Sequence, residues 1–465
     1  MVYIFIIFIV SFYLLLDYFN FSIIEPGKIS LIMWFISAVI IEFGLLDYSN
    51  IEIFTLNSFL ILIIAIFSFV IGSISLRTQS NRVKMNRVIF DTANSFKISS
   101  IFLMIFTIFS SIYILMIFYD LLINQKFNLT ILSLKQLYWD DYYSASFSMK
   151  KTIISLVRPF SFILAVGFPL IIKNKNKLLI LLSSLSIFCI SMEDMMKGKR
   201  GVAVLILLTI FFFNYLIKFL RNKNKFTFKK IVHDIGKYRL FRNFIFFILI
   251  FYIVFGLFPA MKNVDLSSKT VDRWLGYITP GVIVKPIVFY VEEKSIIPNI
   301  AAFAFGMQYI SNPIPTYTYF FEETDVKDWY LFGSYNLPQF NRLFSQFNNK
   351  QSAFLDRRLE IESISIYGNN PFKTGIIDFM IDFSVFGTII AMFFFGRLSQ
   401  KLFILAISKQ SLELMVAYSL LLSAIFSFPL FSSFYMGIFS NTLIVCILIY
   451  FIKPLLSKEG YKNAS

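Results

Sequence analysis

The sequence predicts an all-α polytopic membrane protein with about eleven transmembrane helices, within a range of about ten to fourteen, and one large external loop. Three observations carry that expectation. Of 465 residues, 57% are hydrophobic and only 15% are charged, whereas a soluble domain carries about 25% charged residues. Apolar runs close to the ~20 residues needed to cross a bilayer recur along the chain. The Lys and Arg residues are unevenly shared between alternate connections.

The candidate spans lie near 2–17, 29–46, 56–76, 99–123, 152–172, 178–193, 201–218, 244–260, 374–395, 412–428 and 434–452. No Lys or Arg precedes Lys28 and no small-residue cleavage site follows the first run, so that run is expected to be a retained helix rather than a signal peptide. With the N-terminus outside, the inner connections hold 24 basic residues and the short outer ones hold 7. That is the sign of the positive-inside rule. The strongly basic segment 218–243 then places 261–373 on the outer side. The expected organisation is helices 1–8 over 1–260, a large extracytoplasmic loop over 261–373, helices 9–11 over 374–452 and a cytoplasmic tail over 453–465.

The net charge of +16 would suggest nucleic acid in a soluble protein. In a membrane chain it reads as topology, and no nucleic-acid partner is expected. The two cysteines, Cys189 and Cys446, sit inside apolar runs and form no disulfide framework. No Walker loop and no Cys/His cluster is present, so no cofactor and no metal are expected. The single histidine, His233, falls in the basic inner segment and is too far from an outer site to act as its base. Glu42 and Asp120 lie near helix ends, where they are expected to snorkel.

Three constellations could carry chemistry. The first is Arg158, about six residues inside an apolar run and followed by Pro159. A mid-membrane Arg costs about 2.5–3.5 kcal/mol on insertion scales and usually faces the bundle interior with a partner. The competing reading is simple snorkelling. The second is "SMEDMMKGKRG", 191–201, where Lys197, Lys199 and Arg200 precede a helix beginning near Gly201. Cations at a helix N-terminus suit phosphate or diphosphate; the bland reading is an ordinary loop touching headgroups. The third is "YGNNPFKTGIIDFMIDFSVFGTII", 367–390. Asp378 and Asp382 share one helix face, and Asp382 lies about eight residues inside the apolar segment, where a carboxylate is expensive. Such carboxylates should pair with cations, with Arg158 or Arg200 as natural partners. A purely structural ion pair is the alternative.

The external loop is rich in Tyr, Phe, Asn and Pro, as in "GMQYISNPIPTYTYFFEE". These side chains can stack on and hydrogen-bond to sugars. They can equally form a small core or lie at the interface. The segment "DRRLEIESI", 356–364, has a helical charge pattern.

Asn370, Thr374, Asp382, Phe383 and Gly387 form the pattern Asn-x-x-x-Thr, seven residues, then Asp-Phe-x-x-x-Gly. This resembles the signature ending the large periplasmic loop of oligosaccharide repeat-unit polymerases, the Wzy-type O-antigen and capsule polymerases. "GKRG" and "YISNPIPTY" are similar to other recurring stretches of that family, and size, helix count and the single large loop agree over nearly the whole chain. Ser384 departs from the pattern, since Asp-Phe-Gly is usual there.

The resemblance implies a metal-independent, GT-C-like polytopic glycosyltransferase in the bacterial cytoplasmic membrane. It would use undecaprenyl-diphosphate-linked oligosaccharide as donor and acceptor, with a chain-length regulator and a flippase as candidate partners. With the cation cluster, it assigns Arg158, Lys197, Lys199 and Arg200 to the diphosphate. Arg342, Arg357, Arg358, Asn370, Thr374 and Asp378 become candidates for substrate binding. Glu322, Glu323 and Asp382 become candidate bases beside a catalytic Arg200. The competing functions are a lipid-linked oligosaccharide flippase or other transporter, an O-antigen ligase, and a receptor or scaffold.

Overall fold

The computed structural model describes residues 1–80 except 20, 23 and 52, then 100–122, 149–172, 176–196, 201–221, 282–294, 307, 310–323, 374–429 and 437–456. These residues are almost entirely helical. In chain order the elements are α1 (Val2–Tyr18), α2 (Pro26–Phe43), β1 (Leu46–Asp47), α3 (Leu56–Ser80), α4 (Ser100–Leu122), α5 (Met149–Ile171), α6 (Lys177–Met196) and α7 (Gly201–Arg221). Then follow β2 (Ile283–Val284), α8 (Pro286–Glu293), α9 (Pro313–Glu323), α10 (Gly375–Lys409), α11 (Leu412–Ser427) and α12 (Gly437–Leu456).

Pro26–Phe43, Leu56–Leu76, Ile153–Ile171 and Gly375–Lys409 are long and apolar enough to cross a membrane. Val2–Tyr18, Met104–Tyr119, Leu205–Leu220, Leu412–Ser427 and Ile438–Ile452 are shorter apolar helices. The chain is a helical membrane protein. Ten of the sequence-predicted spans fall on described helices; the remaining one, 244–260, lies outside the described residues.

Two boundaries differ from the sequence reading. Helix α6 continues to Met196, past the predicted end at 193, so Glu193 lies within the helix rather than at its last position. Helix α10 continues to Lys409, so most of the inner connection assigned to 396–411 is helical. The charged residues there do not end the helix because Arg, Lys and Gln are good helix formers. What ends it is Gln410, at φ 51, whose N–H donates to Ala406 O at 3.1 Å. That is a left-handed C-terminal cap.

The chain divides into two compact units. The first comprises Met1–Thr78, Asn224–Gln400 and Ile425–Ser433. Within it α1 and α2 form an antiparallel hairpin. Tyr3, at the start of α1, donates to Glu42 at the end of α2. Asp17, near the end of α1, pairs with Lys28 at the start of α2. Helix α2 has 18 residues, which is about 27 Å at 1.5 Å per residue and close to a ~30 Å hydrocarbon core.

The apolar face of α1 is filled by rings. Phe5 packs on Trp34, Phe54 and Phe59, and Phe12 stacks on Phe67. One polar end of the hairpin holds Glu25, which accepts from Ser22 N–H at 2.7 Å and from Gln400 Nε2 at 2.8 Å. At the other end β1 pairs antiparallel with β2, Leu46 opposite Val284. Leu46–Asp47 and Ile283–Val284 therefore lie on the same side of this unit. The neighbouring Ser49 N–H holds the Asp47 carboxyl below its usual range, and burial pushes the Tyr48 phenol up.

Helix α3 crosses α10 closely in this unit. A Cβ on Gly72 would stand 2.0 Å from Phe393 O, and one on Gly396 would stand 2.0 Å from Phe69 O. Only glycine lets the two backbones meet at this distance, as in small-residue crossings of membrane helices. Ser73 Oγ donates across it to Gly396 O at 3.2 Å.

The second unit comprises Gln79–Lys223, Lys401–Ala424 and Phe434–Ser465. Helix α5 is its centre and packs against α4, α6, α7 and α12. It carries Pro159 and Pro169 inside the helix. A proline removes the N–H that would serve the carbonyl four residues back. For Pro159 that carbonyl is Ser155 O, and Asn441 Nδ2 of α12 donates to it at 3.4 Å. A neighbouring helix thus supplies the donor that hydrocarbon cannot.

Gly72→Ala and Gly396→Ala should each lower stability by about 1–3 kcal/mol, the usual range for overpacking. Thermal unfolding of the purified protein in detergent checks this, and an unchanged Tm for both would contradict the close crossing.

Candidate functional site

Helix α10 places three of the sequence-predicted residues on one face. Thr374 is fully buried just before the helix. Its Oγ1 accepts from Ile377 N–H at 3.4 Å, which makes it an N-cap. Asp378 follows in the first turn and is 4% exposed; a carboxylate there is favoured by the helix dipole. Asp382 comes one turn later and is 0% exposed. The spacing i, i+4, i+8 aligns them.

Immediately after Asp382 the helix breaks. Ser384 has φ 57 and ψ −175, a combination close to a region that is essentially glycine-only and costs about 1–3 kcal/mol for other residues. Its side chain is buried. Thr388 Oγ1 donates to Ser384 O at 2.6 Å and occupies that carbonyl. The break also brings Phe383 close to the next turn. A Cβ on Gly387 would lie 2.9 Å from Phe383 Cβ. Ser384 is the position where the resembled motif has glycine. Both the glycine-type backbone and the crowding at Gly387 are local consequences of one kink. The short segment 375–383 is held by Gly375 N–H, which donates to Phe428 O at 2.7 Å. It is also held by Phe379, which packs on Phe383, Phe395 and Phe428.

Arg158 lies in the second unit, on α5, with its side chain 15% exposed. Its Nε is 3.2 Å from Oε2 of Glu193 on α6. The same Oε2 accepts from Tyr113 OH of α4 at 2.6 Å. Three helices thus meet at one carboxylate, which is 5% exposed. The sequence reading offered Arg158 to the α10 carboxylates and not to Glu193, which forms an ion pair with it. Glu193 is the last residue of the predicted span 178–193, and the sequence reading gives it no role. The signal was available: a buried Arg demands a carboxylate, and Glu193 continues the helical period of α6.

Part of the large loop is also placed. Tyr48 OH meets Ser311 Oγ and donates to Asn312 Oδ1 at 2.9 Å. Tyr317 OH donates to Ser58 O at 3.1 Å, and Thr318 Oγ1 donates to Ile53 O. Tyr317 and Phe320 are buried, so these two aromatics of the loop form a small core and do not face outward. Glu322 is exposed on α9 and accepts from Thr55 Oγ1; Glu323 is the last residue of that helix. Lys197, Lys199, Arg200, Arg342, Arg357, Arg358 and Asn370 lie outside the described residues, as does His233. Among the described residues no three His, Cys, Asp or Glu side chains gather as metal ligands.

Ser384→Gly should stabilise the purified protein by about 1–2 kcal/mol, because glycine adopts this backbone without a Cβ penalty. Ser384→Val should destabilise it. A Tm that falls in the glycine variant would contradict the kink.

Comparison of the chain with family models, with curated proteins and with solved structures finds no match.

Proposed function

We propose that the chain is a membrane glycosyltransferase that polymerises undecaprenyl-diphosphate-linked oligosaccharide repeat units at the outer face of a bacterial cytoplasmic membrane. The observation that carries this reading is the backbone at Ser384. Glycine is usual after Asp-Phe in the resembled motif, and the chain adopts a glycine-type conformation at Ser384. This agreement supports the reading, and the buried carboxylate of Asp382 stands two residues before the bend.

The chemistry follows from the charges. Transfer of a glycan from its lipid carrier leaves a diphosphate, whose developing charge needs fixed cations. Arg158, Lys197, Lys199 and Arg200 are assigned to it. Arg342, Arg357 and Arg358 are assigned to the acceptor or the diphosphate. The acceptor hydroxyl loses a proton as the new glycosidic bond forms. Asp382, Glu322 and Glu323 are the candidate bases, with Asp382 alternatively orienting an arginine. Asn370, Thr374 and Asp378 complete the loop end; for Thr374 the capping role described above is already sufficient.

Deletion of the gene should replace the surface polysaccharide ladder on a gel with a single repeat unit. Stranding of lipid-linked units on the inner side, with no surface glycan, would indicate a flippase instead. A ladder that persists on undecaprenyl diphosphate would indicate a ligase. Complementation with Asp382→Asn, which keeps the size and removes the charge, should restore inserted protein without the ladder. A full ladder from that variant would remove Asp382 from the chemistry.

A further inference from the structure

We propose that Glu193, oriented by Tyr113, is a positioning residue that sets the guanidinium of Arg158 for an isoprenyl-diphosphate headgroup. This inference rests on the glycosyltransferase reading above. The observations are geometric. The Glu193 carboxylate uses one oxygen, Oε2, for two contacts: 2.6 Å to Tyr113 OH and 3.2 Å to Arg158 Nε. Each partner comes from a different helix, so Tyr113 of α4 holds the carboxylate that α6 presents to the cation of α5. The carboxylate is the more deeply buried partner, at 5% against 15% for Arg158.

The contact runs to Nε, at the stem side of the guanidinium. A charge contact there biases the orientation of the group from its stem side. A diphosphate is recognised by matching planar N–H pairs to phosphate oxygens, which depends on that orientation. Tyr113 is buried, and its hydroxyl anchors the carboxylate without adding charge. The pair also holds Arg158 inside the bundle, because an arginine near a membrane boundary otherwise snorkels towards the headgroups. Pro159 directly follows Arg158, and its unserved carbonyl partner Ser155 is tied to Asn441 of α12. The α5 backbone that carries Arg158 is thereby fixed as well.

The test uses full-length protein in nanodiscs, lipid-linked repeat units as substrate, and a water-soluble isoprenyl diphosphate as competitor. Rates are normalised to inserted, monodisperse protein. Glu193→Gln should lower kcat and raise the Ki of the diphosphate probe by about tenfold, while Glu193→Asp recovers most of both, as expected when a charged hydrogen-bonded partner is removed. Tyr113→Phe should weaken the probe by about threefold, less than Glu193→Gln, because the carboxylate keeps its charge and loses only its anchor. It carries the test if Glu193→Gln fails to insert.

A merely structural role would reduce the amount of inserted protein and leave the normalised kcat and Ki at wild-type values. That result, with wild-type protein active, would overturn the positioning role alone. Wild-type protein that neither polymerises nor binds the probe would overturn the glycosyltransferase reading and this inference with it.

Discussion

Charge inside hydrocarbon has to be met by something, and most of the polar architecture described here follows from that. An unpaired charged side chain at the bilayer centre costs several kcal/mol, and breaking a buried pair by removing one partner costs about 3–5 kcal/mol. The chain meets this demand locally. Lys28 is 3% exposed; it pairs with Asp17 and lies 5.0 Å over the Tyr13 ring. Glu25 takes a backbone N–H and an amide N–H. Glu193 takes Tyr113 and Arg158. In the α1–α2 hairpin these groups sit at the ends, so the middle is left to phenylalanine packing.

Backbone groups obey the same rule. Pro159 deprives Ser155 O of a donor, and Asn441 replaces it. The break at Ser384 exposes a carbonyl, and Thr388 covers it. Both repairs come from short polar side chains that a hydropathy profile counts as minor interruptions. In this chain they are what permits a proline or a kink within an apolar helix.

The class of fold was legible because it depends on composition and run length, which tertiary packing cannot reverse. The helix positions were legible for the same reason. Helix ends were less so. The residues after Glu193 and after Phe395 looked like connections, yet α6 runs on to Met196 and α10 to Lys409, since Arg, Lys and Gln extend a helix at little cost. Glu193 stood at the end of the sixth predicted span, and its pairing with Arg158 depends on how α5 and α6 pack. At the candidate site, burial of Asp378 and Asp382 followed from their spacing in an apolar run. The capping role of Thr374 and the crowding at Gly387 did not, because they depend on where the backbone bends. The interleaved tyrosines of 310–321 had two readings in the sequence; their hydrogen bonds to segment 48–58 decide for a docked core at Tyr317.

Ser384 poses the remaining physical question: why a strained residue stands where glycine would be free of strain. A backbone held in a glycine-type region persists only when its surroundings over-determine it. Here they do. Segment 375–383 is tied to Phe428 by a backbone bond and by rings, and the following segment is locked to α3 through Gly396. With both sides fixed, the single residue between them must absorb the change of direction, whatever its side chain. Serine is small enough to be buried at 3% exposure, and its carbonyl is already engaged by Thr388. The strain is thus a consequence of two anchored helix segments. It places the buried carboxylate of Asp382 two residues before a fixed bend, where neither segment can rotate it away.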